Sequence, residues 1–155
     1  CRPFVVKEQG YLIPKKSVFN KIIGDSHFEL QFAGFLDGCS DIISYAKNFF
    51  AVHFKIDYRN TEGAISEYYP DFLVKADEKE IYIIETKGRE DLDDLLKIKR
   101  LSQWCDDINS VQSPDRNIRG QADVRYAWLY VEQEKFEKYL PKNFTELRNA
   151  FKDEG

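Results

Sequence analysis

Ile81-Tyr82-Ile83-Ile84 is an unbroken run of large apolar residues, and it constrains this chain more than any other segment. It is short and bounded by turn signals, with Ala76-Asp77-Glu78-Lys79 before it and Gly88 after it. Such a run suits a central strand covered on both faces, because a strand with one wet face would alternate apolar and polar side chains. The expectation is therefore a sheet with layers on both sides. With 155 residues the chain can bury the core this needs within one domain.

The flanking segments supply the other layers. Ser26-His27-Phe28-Glu29 matches a capping box, and Phe28, Phe32, Phe35 and Leu36 follow at helical spacing, so a first core helix is expected over about 26–37. A short helical piece is expected around Asp41 to Lys47. Three strands are then read at Phe49–Tyr58, Ala64–Lys75 and Glu80–Thr86, with turns at Asn60–Gly63 and Ala76–Lys79. Leu92, Leu95, Leu96, Ile98, Leu101, Trp104, Cys105 and Ile108 mark an amphipathic helix over 91–109. A fourth strand is read at Val124–Val131, and two short helices near 133–139 and 144–151 close the chain. Residues 1–24 read as a lead-in with a β-ribbon. The core order is helix, three strands, helix, strand. An antiparallel meander would use the first three strands, and the helix after Gly88 would provide the crossover to a parallel fourth. The fold class is α/β, a central mixed four-stranded sheet flanked by helices.

Several functions are disfavoured by composition. No segment is long and apolar enough to span a bilayer, and no signal-peptide pattern opens the chain. Cys1, Cys39 and Cys105 form no C-x-x-C pair and fit a reducing cytosol. With those cysteines and only His27 and His53, a structural zinc site is not expected. Chemistry must run on carboxylates, Lys and a hard, oxygen-loving cation. The net charge of −4 argues against a stand-alone nucleic-acid binder, although Lys87, Arg89, Lys97, Lys99 and Arg100 cluster. The chain starts at Cys1 and contains no Met, which reads as a domain cut from a longer polypeptide.

Strand geometry draws three of the charged residues together. Glu85 and Lys87 are two apart, so they share a face with Ile81 and Ile83. A hairpin centred near 77–78 brings Asp71 opposite residues 83–85. Two carboxylates and an ammonium then converge at one end of the sheet. Mg²⁺ can be held by one or two carboxylates together with substrate phosphate, and it makes water more acidic while offsetting phosphate charge. Lys87 can stabilise charge on the phosphorus centre, and the Thr86 carbonyl lies between the two as a further ligand.

Pro70-Asp71 followed by Glu85-Thr86-Lys87 resembles the signature of the PD-(D/E)XK nuclease superfamily, and the element order resembles that superfamily's restriction-endonuclease-like core. More narrowly, Tyr68-Tyr69-Pro70-Asp71-Phe72 and Glu85-Thr86-Lys87-Gly88 look like the C-terminal nuclease domain of type III restriction enzyme Res subunits. The resemblance covers about 20–131 of a single domain over 1–155. It implies Asp71 and Glu85 as metal ligands, with Thr86 beside them, Lys87 as the catalytic lysine, and Glu29 as the acidic residue of the first helix. It also implies Mg²⁺, with Mn²⁺ as a substitute, and DNA as substrate. The expected partners are a helicase or translocase portion, a methyltransferase subunit, and a second copy for double-strand cutting.

Plainer readings exist for each residue. Asp71 fits a strand edge, Glu85 and Lys87 fit a surface ion pair of little energetic value, and Glu29 fits a cap. Lys97, Lys99 and Arg100 fit a solvated helix face, and Trp104 fits the core. At the level of function the leading reading is a metal-dependent DNA endonuclease. The alternative is a catalytically inactive nuclease-fold module for docking or DNA binding.

Overall fold

A computed structural model describes residues 11–19, 22–23, 26–48, 54–89, 91–111 and 124–152. In chain order the elements are β1 (Tyr11–Leu12), β2 (Ile22–Ile23), α1 (His27–Gly38), β3 (Ser44–Lys47), β4 (Ile56–Arg59), β5 (Ile65–Tyr68), β6 (Phe72–Asp77), β7 (Glu80–Lys87), α2 (Asp94–Ser110), β8 (Arg125–Glu132), α3 (Gln133–Tyr139) and α4 (Phe144–Phe151).

The central sheet has the order β3-β6-β7-β8. The β3/β6 and β6/β7 pairs are antiparallel, while β7 and β8 run parallel across the α2 crossover. This is the mixed four-stranded sheet, in helix, three strands, helix, strand order, that the sequence predicts. β7 is covered on both faces. Tyr82 and Ile84 enter a core with Phe28, Phe32 and Leu36 of α1 and with Phe136, Phe144 and Leu147 of the C-terminal helices. Ile83 points into a second core with Leu101 and Cys105 of α2 and with Ile56, Tyr58 and Tyr68.

The first strand of the sheet is not where the sequence puts it. The segment read as a short helix at 41–47 instead contains β3, whose buried residues alternate as Tyr45 and Lys47. Of the strand read at 49–58, residues 49–53 lie outside the described residues, and the rest contributes β4. The strand read at 64–75 is two strands, broken at Tyr69-Pro70-Asp71. Among the described residues β4 and β5 pair with each other alone, as a ribbon that lies between β3 and β6 in the chain but outside the central sheet. Its turn uses Gly63, whose φ of 81° lies in the left-handed region that glycine adopts without steric cost. A lead-in ribbon is present as the β1/β2 pair.

Caps and turns behave largely as read. The Ser26 side chain accepts the Glu29 N–H at 3.2 Å, which begins α1 one residue later than expected. The C-terminal end is tied to the front of the sheet by Asp41, which accepts the N–H groups of Phe144 and Thr145 and the Thr145 hydroxyl at 2.8–2.9 Å. No helix among the described residues is long and apolar enough to cross a membrane.

Candidate active site

Hairpin register brings the acidic residues together. Phe72 pairs with Ile84 and Leu73 with Ile83, so the next step along β6 and β7 sets Asp71 level with Glu85. Asp71 is fixed by Thr86, whose N–H and hydroxyl both donate to its Oδ2, at 2.9 and 2.7 Å. From the other side, Asn48 at the end of β3 donates its N–H to the Asp71 carbonyl at 2.6 Å. The Asn48 side-chain amide reaches the carbonyls of Pro70 and Phe54 at 2.8 and 2.7 Å. The break between β5 and β6 is therefore a clamped corner with Asp71 at its tip.

The electrostatics are those of two carboxylates forced together. Burial raises the Asp71 pKa from 3.8 to about 6, against the pull of the two Thr86 bonds, and the nearby Glu29 raises it further while Lys47 lowers it. Burial pushes Glu85 well above the usual carboxylate range, and the charge of Asp71 adds to the shift, while Tyr68, Lys97 and Lys87 oppose it. Glu85 Oε2 and the Tyr68 hydroxyl are both buried and neither completes a well-formed hydrogen bond, although the phenol lies near enough to the carboxylate to lower its pKa. A buried, unsatisfied carboxylate oxygen beside a second carboxylate is unfavourable for the protein alone and well suited to a cation. Among the described residues no group of three or more His, Cys, Asp or Glu is arranged to hold a metal. The fit is thus to an ion that takes two carboxylates and fills its remaining positions from backbone, water or substrate, as Mg²⁺ does.

The remaining predicted residues sit around this pair. Glu29, on the first turn of α1, forms an ion pair at 3.0 Å with Lys47, so its charge is engaged by β3 as well as lying near Asp71. Thr86 contributes its N–H and hydroxyl to Asp71. Lys87 projects from the end of β7, with its ammonium 3.2 Å from Asp94 on α2. Lys97 approaches the same carboxylate at 4.0 Å and lies over the Tyr58 ring at 5.9 Å. Arg100 donates to the Asp57 carbonyl of the ribbon at 3.1 Å, which makes its guanidinium part of the α2/ribbon contact. Trp104 packs in the second core, edge-on to Phe54 and Tyr126.

Sequence reasoning passed over Lys47, Asn48 and Asp94. Lys47 and Asp94 are charged residues that look solvated in a linear pattern yet are 4% and 5% exposed. Asp94 has one visible signal, its place at the opening of the helix that follows the Glu85-Thr86-Lys87 strand; Lys47 has none, because its segment reads as a short helix. The buried thiols of Cys39 and Cys105 are pushed up to about 12 by burial and offer no nucleophile.

A family model described as an endonuclease domain matches residues 15–111, a segment that runs from the approach to α1 to the end of α2 and contains Asp71, Glu85 and Lys87. The chain belongs to this endonuclease-domain family. It is accordingly a nuclease domain with a restriction-endonuclease-like fold. Comparisons with curated proteins and with solved structures gave no match.

Proposed function

We propose that this nuclease domain is a divalent-metal-dependent DNA endonuclease that hydrolyses phosphodiester bonds and serves as the cutting module of a type III restriction-like helicase or translocase. The observation that carries the metal dependence is the unsatisfied, buried Glu85 Oε2 set level with Asp71. Asp71 and Glu85 would hold Mg²⁺, with the Thr86 carbonyl as a further donor. When bound, the ion supplies Lewis acidity toward phosphate oxygens and water. Thr86 orients the Asp71 carboxylate through two hydrogen bonds to one oxygen. Lys87 presents a positive charge on the same strand face as Glu85, where it can stabilise charge building on the scissile phosphate. The type III assignment is supported by the Tyr68–Phe72 and Glu85–Gly88 motifs. The net charge of −4 fits a domain whose DNA affinity comes largely from attached or associated modules.

The test has two arms. Calorimetric titration should show Mg²⁺ or Mn²⁺ binding that Glu85→Ala removes. Plasmid cleavage, with the chain joined to its translocase partner, should require the ion and fall by at least about 10²-fold in Glu85→Ala and in Lys87→Ala. Variants that cut as well as the parent protein would end this assignment. One observation favours the second reading, an inactive nuclease-fold module: no third acidic, His or Cys side chain joins Asp71 and Glu85 in a metal-binding group among the described residues. Absence of metal binding in the titration would select that reading.

A further inference from the structure

We infer that Asp94 is a positioning residue that holds the Lys87 ammonium at the Glu85 end of β7. The catalytic half of the inference rests on the nuclease reading above; the contact itself does not. A lysine ammonium rides on four methylene groups, so strand geometry fixes where Lys87 begins and leaves its charge free to wander. Asp94 supplies what the strand cannot. It opens α2, is 5% exposed, and its Oδ1 lies 3.2 Å from the Lys87 ammonium. Its Oδ2 accepts the Tyr130 hydroxyl from β8 at 3.4 Å and the Asp91 N–H. Lys97 adds a second cation at 4.0 Å. The carboxylate is thus held from β8 and from the entry to α2, and the Lys87 and Lys97 ammonium groups converge on it.

Energetics argue that this arrangement is more than a helix start. Burying a carboxylate is costly unless strong partners compensate, and an apolar residue of similar size is often as stable or more so. The α2 N-cap, Asp93, makes no side-chain capping bond. Asp94 does close the turn with Asp91, but an uncharged amide of the same shape could accept that N–H equally well. The charge complements the α2 N-terminus as any first-turn acid would, but here it also holds both the Lys87 and the Lys97 ammonium groups. A displacement of about 1 Å at a reacting centre can cost 10²-fold in rate, so loss of this anchor should be visible in catalysis.

The charge and the shape can be separated with Asp94→Asn, which keeps an oxygen acceptor for Tyr130 and Asp91. In the ¹H–¹⁵N spectrum of lysine ammonium groups, assigned with Lys87→Arg, the Lys87 signal should be protected from exchange in the parent chain and broadened away in Asp94→Asn. Backbone amide shifts away from α2 should be unchanged. In metal-supported cleavage within the complete protein, kcat should fall about 10²-fold with KM little changed, and Asp94→Glu should recover part of the loss. An unaltered Lys87 signal in Asp94→Asn overturns the inference, as does full kcat. If the parent protein proves unable to cut, the nuclease reading fails and the catalytic half falls with it. The ammonium spectrum then decides the contact alone.

Discussion

Asp71 and Glu85 are held as buried carboxylates at a cost to the metal-free fold that protonation relieves. Their folded-state pKa values are both raised, that of Asp71 to about 6, mainly by burial. The native state therefore retains protons that the unfolded chain has already released. Stability contributed by this pair is fully present below the unfolded values and is lost as pH rises through about 6 and beyond. In metal-free protein, thermal stability should decline from mildly acidic to neutral pH more steeply than in Glu85→Gln. Near neutrality the variant should melt higher, by roughly 3 °C or more for about 1 kcal/mol in a domain of this size. Added Mg²⁺ should raise the melting temperature of the parent chain and leave that of Glu85→Gln nearly unmoved. Differential scanning fluorimetry in chelator and in Mg²⁺, at the two pH values, checks both statements. A parent chain whose stability rises across that interval while the variant's does not would contradict the electrostatic account.

At the scale of elements, the site depends on a corner more than on a strand. β5 and β6 are separated by Tyr69-Pro70-Asp71, and Asn48 at the end of β3 closes that corner with its backbone N–H and its side-chain amide. Asn48→Ala should leave one buried and one partly buried carbonyl short of a donor and cost about 2 kcal/mol in urea denaturation. It should also weaken divalent-ion binding measured by calorimetry, although Asn48 contributes no ligand. Unchanged ion affinity with the expected loss of stability would show that the Asn48 side chain is not needed to place Asp71.

This corner also explains what was legible in the linear pattern. β7, α1, α2 and β8 each carry a strong periodic or continuous apolar signal, and their order led directly to the fold and to the Asp71, Glu85 and Lys87 grouping. β3 did not, because half of its buried set is the charged Lys47, neutralised by Glu29 from another element. The ribbon did not, because its strands satisfy each other and leave Ile65 exposed, so their pattern does not differ from that of sheet strands. Asp94 reads as an ordinary first-turn acid until Lys87 is folded against it. In each case the missing information is a partner distant in sequence.

At the scale of the molecule, the segment matched by the family model and the unit that folds are different things. The match stops at residue 111, before β8, α3 and α4. Yet β8 is the parallel neighbour of β7 over eight register pairs, and Leu129, Val131, Phe136, Phe144 and Leu147 lie in the same core as Phe32 and Ile84. Removing them would strip one face of the sheet and leave β7, the most apolar strand, as an unprotected edge prone to pairing with other chains. The Asp41 bonds that seat the first turn of α4 run the dependence the other way, from the front of the sheet to the end of the chain. A chain truncated after residue 111 should therefore aggregate or give a collapsed amide spectrum, even though it keeps Asp71, Glu85, Lys87 and Asp94. The same chain carried through residue 152 should give a dispersed spectrum and a single cooperative unfolding transition. A truncated chain that unfolds cooperatively would mean that the face formed by α1 suffices to support the site, and that the C-terminal layer serves another purpose.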